Sequence, residues 1–251
     1  MTPGDFFTPD APRVLAHRGF ALDAPENTML AFAAAINEGA EYVETDVHAT
    51  ADGVAVVAHD PTLERTAGRP ERIDSLLWHE LENIPLGDDQ TVPTLHDVLD
   101  AFPDTRFNID MKSDAAVAPT VRAISALRVT NRVLLTSFRE ARRRRARQLL
   151  PDVATSASRT IVLRALGAAK LGSRAVMSRA LRDVDALQIP ERVRRTRVLT
   201  GALLELAHEC GTEVHVWTVN ERDDIERLLR VGVDGIVTDR VDVALHAVAE
   251  R

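Results

Sequence analysis

The chain has 251 residues, 45% of them hydrophobic, enough to bury one sizeable core. With 31 basic and 38 acidic side chains its net charge is -7, so the molecule as a whole repels polyanions and nucleic acid is excluded as an expected partner. Its single cysteine, Cys210, allows no internal disulfide, and neither a targeting segment in the first ten residues nor a run of about 18 apolar residues is present, so a cytoplasmic protein without stable membrane insertion is expected.

From Arg13 onward, short β-branched runs alternate with longer stretches of helical period, the pattern of βα units around a parallel sheet. Strands are predicted near 13–17, 42–48, 106–111, 132–136, 152–156, 186–190, 213–218 and 235–238. Eight such units close without an exposed edge, so the expected fold is α/β, a (β/α)8 TIM barrel forming one domain over 1–251. The first helix should follow Pro25, capped by Asn27 or Thr28, with Leu30, Phe32, Ala35 and Ile36 at helical spacing before Gly39. Residues 54–58 read as an extra extended segment, and about 61–93 as an insertion after strand two, on the barrel end where active sites form. Further helices are predicted over 118–127, 201–210 and 222–231, the last two stopped by Gly211 and Gly232. The arginines from Arg139 to Arg147 fit the solvated face of a helix, and Arg192, Arg194, Arg195 and Arg197 a second solvated stretch or a patch for anionic lipid headgroups. Cys210, in an apolar helical pattern, reads as a packed core thiol.

Strand two carries Glu44 and Asp46, two residues apart and therefore on one face, with apolar neighbours on the other. Inside a barrel such a pair would repel unless a cation neutralised it, and an all-oxygen site suits Mg²⁺ or Ca²⁺; the alternative is two exposed acids at a strand end. Asp110 and Lys112 repeat the arrangement on the next barrel strand, as a third metal carboxylate with a phosphate-binding ammonium or as a structural ion pair. His17 and Arg18 end strand one, and His59 follows the extra segment, so two imidazoles could supply an acid and a base to a phosphodiester. Trp217, ending strand seven, reads as a core aromatic or as a wall of the substrate site. His48, His79, His96, His208, His215 and His246 read as surface or packing residues.

These residues fall in a series of short motifs, His17-Arg18-Gly19, Pro25-Glu26-Asn27-Thr28, Glu44-x-Asp46, His59-Asp60, Pro93-Thr94-Leu95, Asn108-Ile109-Asp110-Met111-Lys112, Trp217-Thr218-Val219-Asn220 and Gly232-Val233-Asp234-Gly235-Ile236-Val237-Thr238-Asp239. In that order and spacing, over roughly 13–245, the chain resembles the glycerophosphodiester phosphodiesterase family. The resemblance implies a barrel, one divalent cation (Mg²⁺ or Ca²⁺, with Mn²⁺ as a further option), and hydrolysis of a small-molecule glycerophosphodiester to an alcohol and sn-glycerol 3-phosphate. It implies His17 and His59 as the acid and base, Glu44, Asp46 and Asp110 as metal ligands, and Arg18 and Lys112 as phosphate-binding groups. The chain departs from the family pattern at Asp110, where glutamate is usual, at His96-Asp97 and at Val241. The rival expectations are a phospholipase D or sphingomyelinase D-like lipid headgroup phosphodiesterase, for which Leu76, Leu77 and Trp78 are the one candidate surface patch, and a non-catalytic barrel that binds a phosphometabolite.

Overall fold

In the computed structural model, which describes residues 6–250, eight parallel strands form a ring with helices packed outside it. The barrel strands are β1 (Arg13–His17), β2 (Tyr42–Ala49), β3 (Arg106–Met111), β4 (Val133–Thr136), β5 (Ala154–Thr155), β6 (Ala186–Pro190), β7 (Glu213–Trp217) and β8 (Gly235–Thr238). They pair in sequence from β5 back to β1, then β1 with β8, β8 with β7 and β7 with β6. One parallel bridge, Ser156 to Ala186, spans the remaining gap, so the barrel is nearly closed.

The eight strands lie where the β-branched runs predict them, except that the fifth, expected over 152–156, is reduced to two paired residues. There the Thr155 amide donates to the Asp185 carboxylate at 2.7 Å instead of to a neighbouring strand. The single-domain expectation covers 1–251, and residues 1–5 and 251 lie outside the described residues.

Alternation sorts each strand's side chains between two environments. Outward residues such as Val43, Val47, Phe107, Ile109, Val214 and Ile236 pack under the surrounding helices in one large core. Inward residues form layers along the barrel axis. Leu15, Tyr42, Leu134, Ala154, Ala186 and Val237 fill part of the interior together with Phe6, which packs edge-to-face on Tyr42. One pleat repeat further along come His17 beside Glu44, with Asn108 next across β3, and then Asp46 beside Asp110, beside Thr136. The polar layers thus sit at the carboxyl ends of β1 to β4.

Thr28, not Asn27, caps the first helix, Met29–Asn37, its hydroxyl accepting from the Ala31 amide. Later helices occupy Val117–Leu127, Gly201–His208 and Arg222–Val231, the last stopped by Gly232 at φ +95°. Cys210 is half-buried against the large core. The extra segment is a short strand, Ala55–Val57, antiparallel to β2, and the insertion beyond it has its own small core of Val56, Leu63, Ile73, Leu81, Ile84 and Val92.

Two sequence expectations are corrected. In the arginine-rich helix Glu140–Leu149, Arg143 is not solvated: it is 3% exposed, with its guanidinium on the Asp183 carbonyl, the Thr155 hydroxyl and Glu140. The inward-turned guanidinium donates to a β5 hydroxyl and to a carbonyl of the turn that leads into β6, so it ties the short fifth strand to its neighbour. Leu76, Leu77 and Trp78 do not form the exposed patch, because Leu76 and Trp78 fold onto the insertion's core and only Leu77 is exposed. No helix among the described residues is long and apolar enough to cross a membrane.

Candidate active site

His17, Arg18, Glu44, Asp46, His59, Asp110, Lys112 and Trp217 all line one cavity of about 890 Å³ at the carboxyl ends of the strands. Fold position explains the convergence: β1, β2 and β3 are adjacent, and the strand Ala55–Val57 turns the chain back so that His59 follows beside β2. The close fit of β1 to the first helix requires Gly19, whose added Cβ would lie 2.7 Å from the Ala31 carbonyl carbon at a φ of +86°.

Each candidate histidine is oriented through Nδ1. His17 Nδ1 lies 2.6 Å from Asp239, whose other oxygen accepts from the Asn220 side-chain amide at 2.8 Å. His59 Nδ1 lies 2.8 Å from Asp60, which also accepts from Arg65 at 2.6 Å. Binding Nδ1 to a carboxylate fixes the N–H there and leaves Nε2 as the nitrogen that can exchange a proton with a ligand. The buried His48 ring also bonds the His59 carbonyl, steadying that segment.

The cationic groups are equally anchored. Arg18, at φ +58°, pairs with Glu26 at 3.1 Å and with Asp46 at 3.3 Å. Lys112 Nζ sits 2.7 Å from Asp46 and 2.7 Å from Asp110. Asn27 donates to Asp46 at 3.1 Å and accepts from Thr45, so the residue that failed as a helix cap is a support of the acidic pair.

Burial and crowding separate the carboxyl groups. Burial, reinforced by the Asp46 charge, pushes Glu44 up to about 8. Burial works against ionised Asp46 as well, yet Lys112 and Arg18 outweigh it and hold Asp46 below the usual carboxylate range. Burial raises Asp110 despite Lys112, and one of its oxygens is buried without a hydrogen-bond partner. Burial opposes a charged His17, but the Asp239 bond and the Glu44 charge prevail and raise it above the ordinary imidazole value. Among the described residues no three His, Cys, Asp or Glu groups stand gathered around a single ion position, and Lys112 bridges two of the three acids.

The cavity's other half is apolar. Trp217 forms part of its wall and stacks edge-to-face on Phe138 at 6.0 Å, followed by Val162, Leu163, Leu166 and Ile189. The functional residues that sequence reasoning passed over are Asp60, Asp239, Asn220 and Asn27. All four stand in the short motifs given above, but only the fold shows which group each one supports.

A family model described as "Glycerophosphoryl diester phosphodiesterase family" matches residues 17–243. The chain is 46% identical over 239 residues to the "Probable glycerophosphodiester phosphodiesterase 2" of Mycobacterium tuberculosis, covering 94% of this chain and 90% of that one. Among solved structures it resembles a glycerophosphodiester phosphodiesterase of Agrobacterium tumefaciens, at a TM-score of 0.77 and 26% identity over 94% of this chain and 99% of that one. It also shares the fold of an Oleispira antarctica phosphodiesterase solved with the product sn-glycerol-3-phosphate, at a TM-score of 0.80 and 22% identity over 99% of this chain and 100% of that one. The chain therefore belongs to the glycerophosphoryl diester phosphodiesterase family of hydrolases.

Proposed function

We propose that this chain hydrolyses small glycerophosphodiesters to an alcohol and sn-glycerol 3-phosphate, with His17 and His59 as the acid–base pair. The carrying observation is the pair of histidine–carboxylate contacts around one cavity that also holds Arg18 and Lys112. The cations draw in the phosphate, one imidazole takes a proton from the attacking hydroxyl, and the other gives a proton to the departing alkoxide. The glycerol 2-hydroxyl is the nucleophile in this scheme, so phosphorus first gains a cyclic diester with loss of the alcohol. Water then opens the ring with the two histidines in exchanged roles. Trp217 packs on the organic part of the substrate.

Although they are not gathered around one ion position here, Glu44, Asp46 and Asp110 are the residues that would hold one divalent cation, Mg²⁺, Ca²⁺ or Mn²⁺. Their chemistry suits it: Glu44 is raised by its buried setting and acidic neighbour, and the Asp110 oxygen has no partner, both of which a hard cation would relieve. Such an ion, when bound, supplies Lewis-acid stabilisation of charge on a phosphate oxygen. Lys112 shares the oxygens of Asp46 and Asp110, so ion and ammonium compete for them.

An assay for glycerol 3-phosphate released from glycerophosphocholine and glycerophosphoethanolamine tests the reaction, with EDTA and then with each ion restored. Release that disappears with EDTA and returns with an ion is expected, and release indifferent to EDTA would remove the ion from the scheme. His17→Ala and His59→Ala should each lower turnover by about 10²–10⁴ while leaving the melting temperature unchanged. Near-normal turnover in either variant would reject the two-histidine scheme. The apolar half of the cavity favours a second reading, lipid headgroup hydrolysis, and lysophosphatidylcholine supplied as a parallel substrate separates the two.

A further inference from the structure

We infer that the mouth of this cavity is a docking surface for an anionic lipid bilayer, built from an apolar rim and the arginine-bearing hairpin beside it. Phe138 after β4, Leu163 on the helix Arg159–Lys170 and Val193 are 57%, 60% and 54% exposed, and all three line the one cavity. They come from three separate segments, so their exposure on a common rim is a property of the mouth and not of one apolar stretch of sequence. Apolar surface gathered in one place on a protein marks a contact.

Charge decides what kind of contact. The hairpin Arg192–Val193/Thr196–Arg197 projects with all six residues from 192 to 197 exposed, carrying four arginines and no acid. Arg194 and Arg195 have no carboxylate partner among the described residues, and Arg197 stands 3.7 Å from a Glu191 already held by Arg227 at 2.8 Å. Arg159, exposed on the rim and lining the cavity, adds a fifth guanidinium. This concentration occurs in a chain of net charge -7. Apolar tips flanked by guanidinium groups complement a bilayer whose headgroups are anionic and whose interior is hydrocarbon. A second copy of the chain fits poorly, because a symmetric contact would set the hairpin's arginines against their own copies. Nucleic acid would use the arginines and leave the apolar rim without a partner. Docked in this way, the cavity opens onto lipid, independently of which phosphodiester it cleaves.

Sedimentation of the full chain with vesicles tests the inference without reading hydrolysis. Vesicles of phosphatidylcholine alone are compared with vesicles of equal parts phosphatidylcholine and phosphatidylglycerol, in low and in high salt. Binding to the anionic vesicles only, and its loss in high salt, is expected. A basic side chain near an anionic surface is worth about fivefold in binding, so R192Q/R195Q/R197Q should weaken it about a hundredfold. Those three arginines do not line the cavity, so hydrolysis of a soluble glycerophosphodiester should be unchanged in that variant. The apolar variant F138S/L163S/V193S should lose anionic binding while retaining its melting temperature, and the single variant R195Q gives a milder loss should the triple variants unfold. No binding to anionic vesicles, or binding that both triple variants retain, overturns the inference. So does sedimentation velocity showing a dimer that the apolar variant dissolves, which would assign the rim to a second copy.

Discussion

Asp239 stands 222 residues from His17 in the chain and 2.6 Å from its ring in the fold. This separation explains what a reader of the sequence can and cannot see at the level of single residues. Glu44, Asp46, Asp110 and Lys112 are legible because period-two spacing puts chemically unusual side chains on the inner face of a strand, and all four line the cavity. A carboxylate that only orients another group has no such local mark. Asp239 is expected to act by holding the His17 tautomer, with Asn220 in turn holding Asp239. Asp239→Asn should therefore lower kcat by about 10²–10⁴ with KM little changed, as for other carboxylates that orient an imidazole. Steady-state kinetics beside a thermal melt checks this, and a loss confined to KM would show that Asp239 binds substrate instead. Arg143 illustrates the opposite difficulty: in a run of like residues, sequence does not say which arginine turns inward.

Strands were easier to read than the segments that join them, because a buried parallel strand needs a β-branched run whatever its neighbours do. β5 is the exception, since the Asp185 carboxylate replaces strand pairing there and a hydrogen bond from a distant side chain leaves no periodicity. The insertion was legible as an interruption and not as a structure, because its small core joins residues from Val56 to Val92 without a repeating period. Contact between β7 and β8 also depends on a residue with no side chain. A Cβ on Gly235 would sit 2.7 Å from the His215 ring, which is fully buried and fixed by Glu213 at 2.9 Å and Gln188 at 3.3 Å. With no free end to swing aside, Gly235→Ala should cost about 1–3 kcal/mol by overpacking, read as a lower urea midpoint. Adding His215→Ala should recover part of that loss, and a Gly235→Ala protein as stable as the parent would refute the close-contact account.

At the scale of the whole molecule, charged side chains join parts of the barrel that are distant in sequence. Glu213 on β7 receives two hydrogen bonds from Arg13 on β1, at 2.7 and 2.9 Å, and one contact from His215. Arg13 also bonds Tyr42 on β2 and the carbonyls of Phe7 and Pro9, drawing the described N-terminal segment onto the barrel. Burial works against ionised Glu213, but these partners override it and hold the group at about 2. Glu140 behaves alike: burial is outweighed by Arg143 and Ser158, again reaching about 2. Both folded values lie below the ordinary 4.5, so the unfolded chain binds protons first as pH falls. The stabilisation is therefore complete above about pH 5 and disappears progressively toward pH 2. Solvent screening of these part-exposed pairs reduces what each contributes near neutrality to about 1 kcal/mol. These two groups add no pH dependence between pH 7 and about 5, where the raised Glu44 and His17 lift the urea midpoint as pH falls, and below about 5 the midpoint should drop. Glu213→Gln should lower the midpoint at pH 7 and flatten the acid limb, because the group that titrates has been removed. If the substituted protein instead keeps the full acid dependence, the clamp between β1 and β7 is not what fails in acid, and the remaining carboxylates must carry the transition.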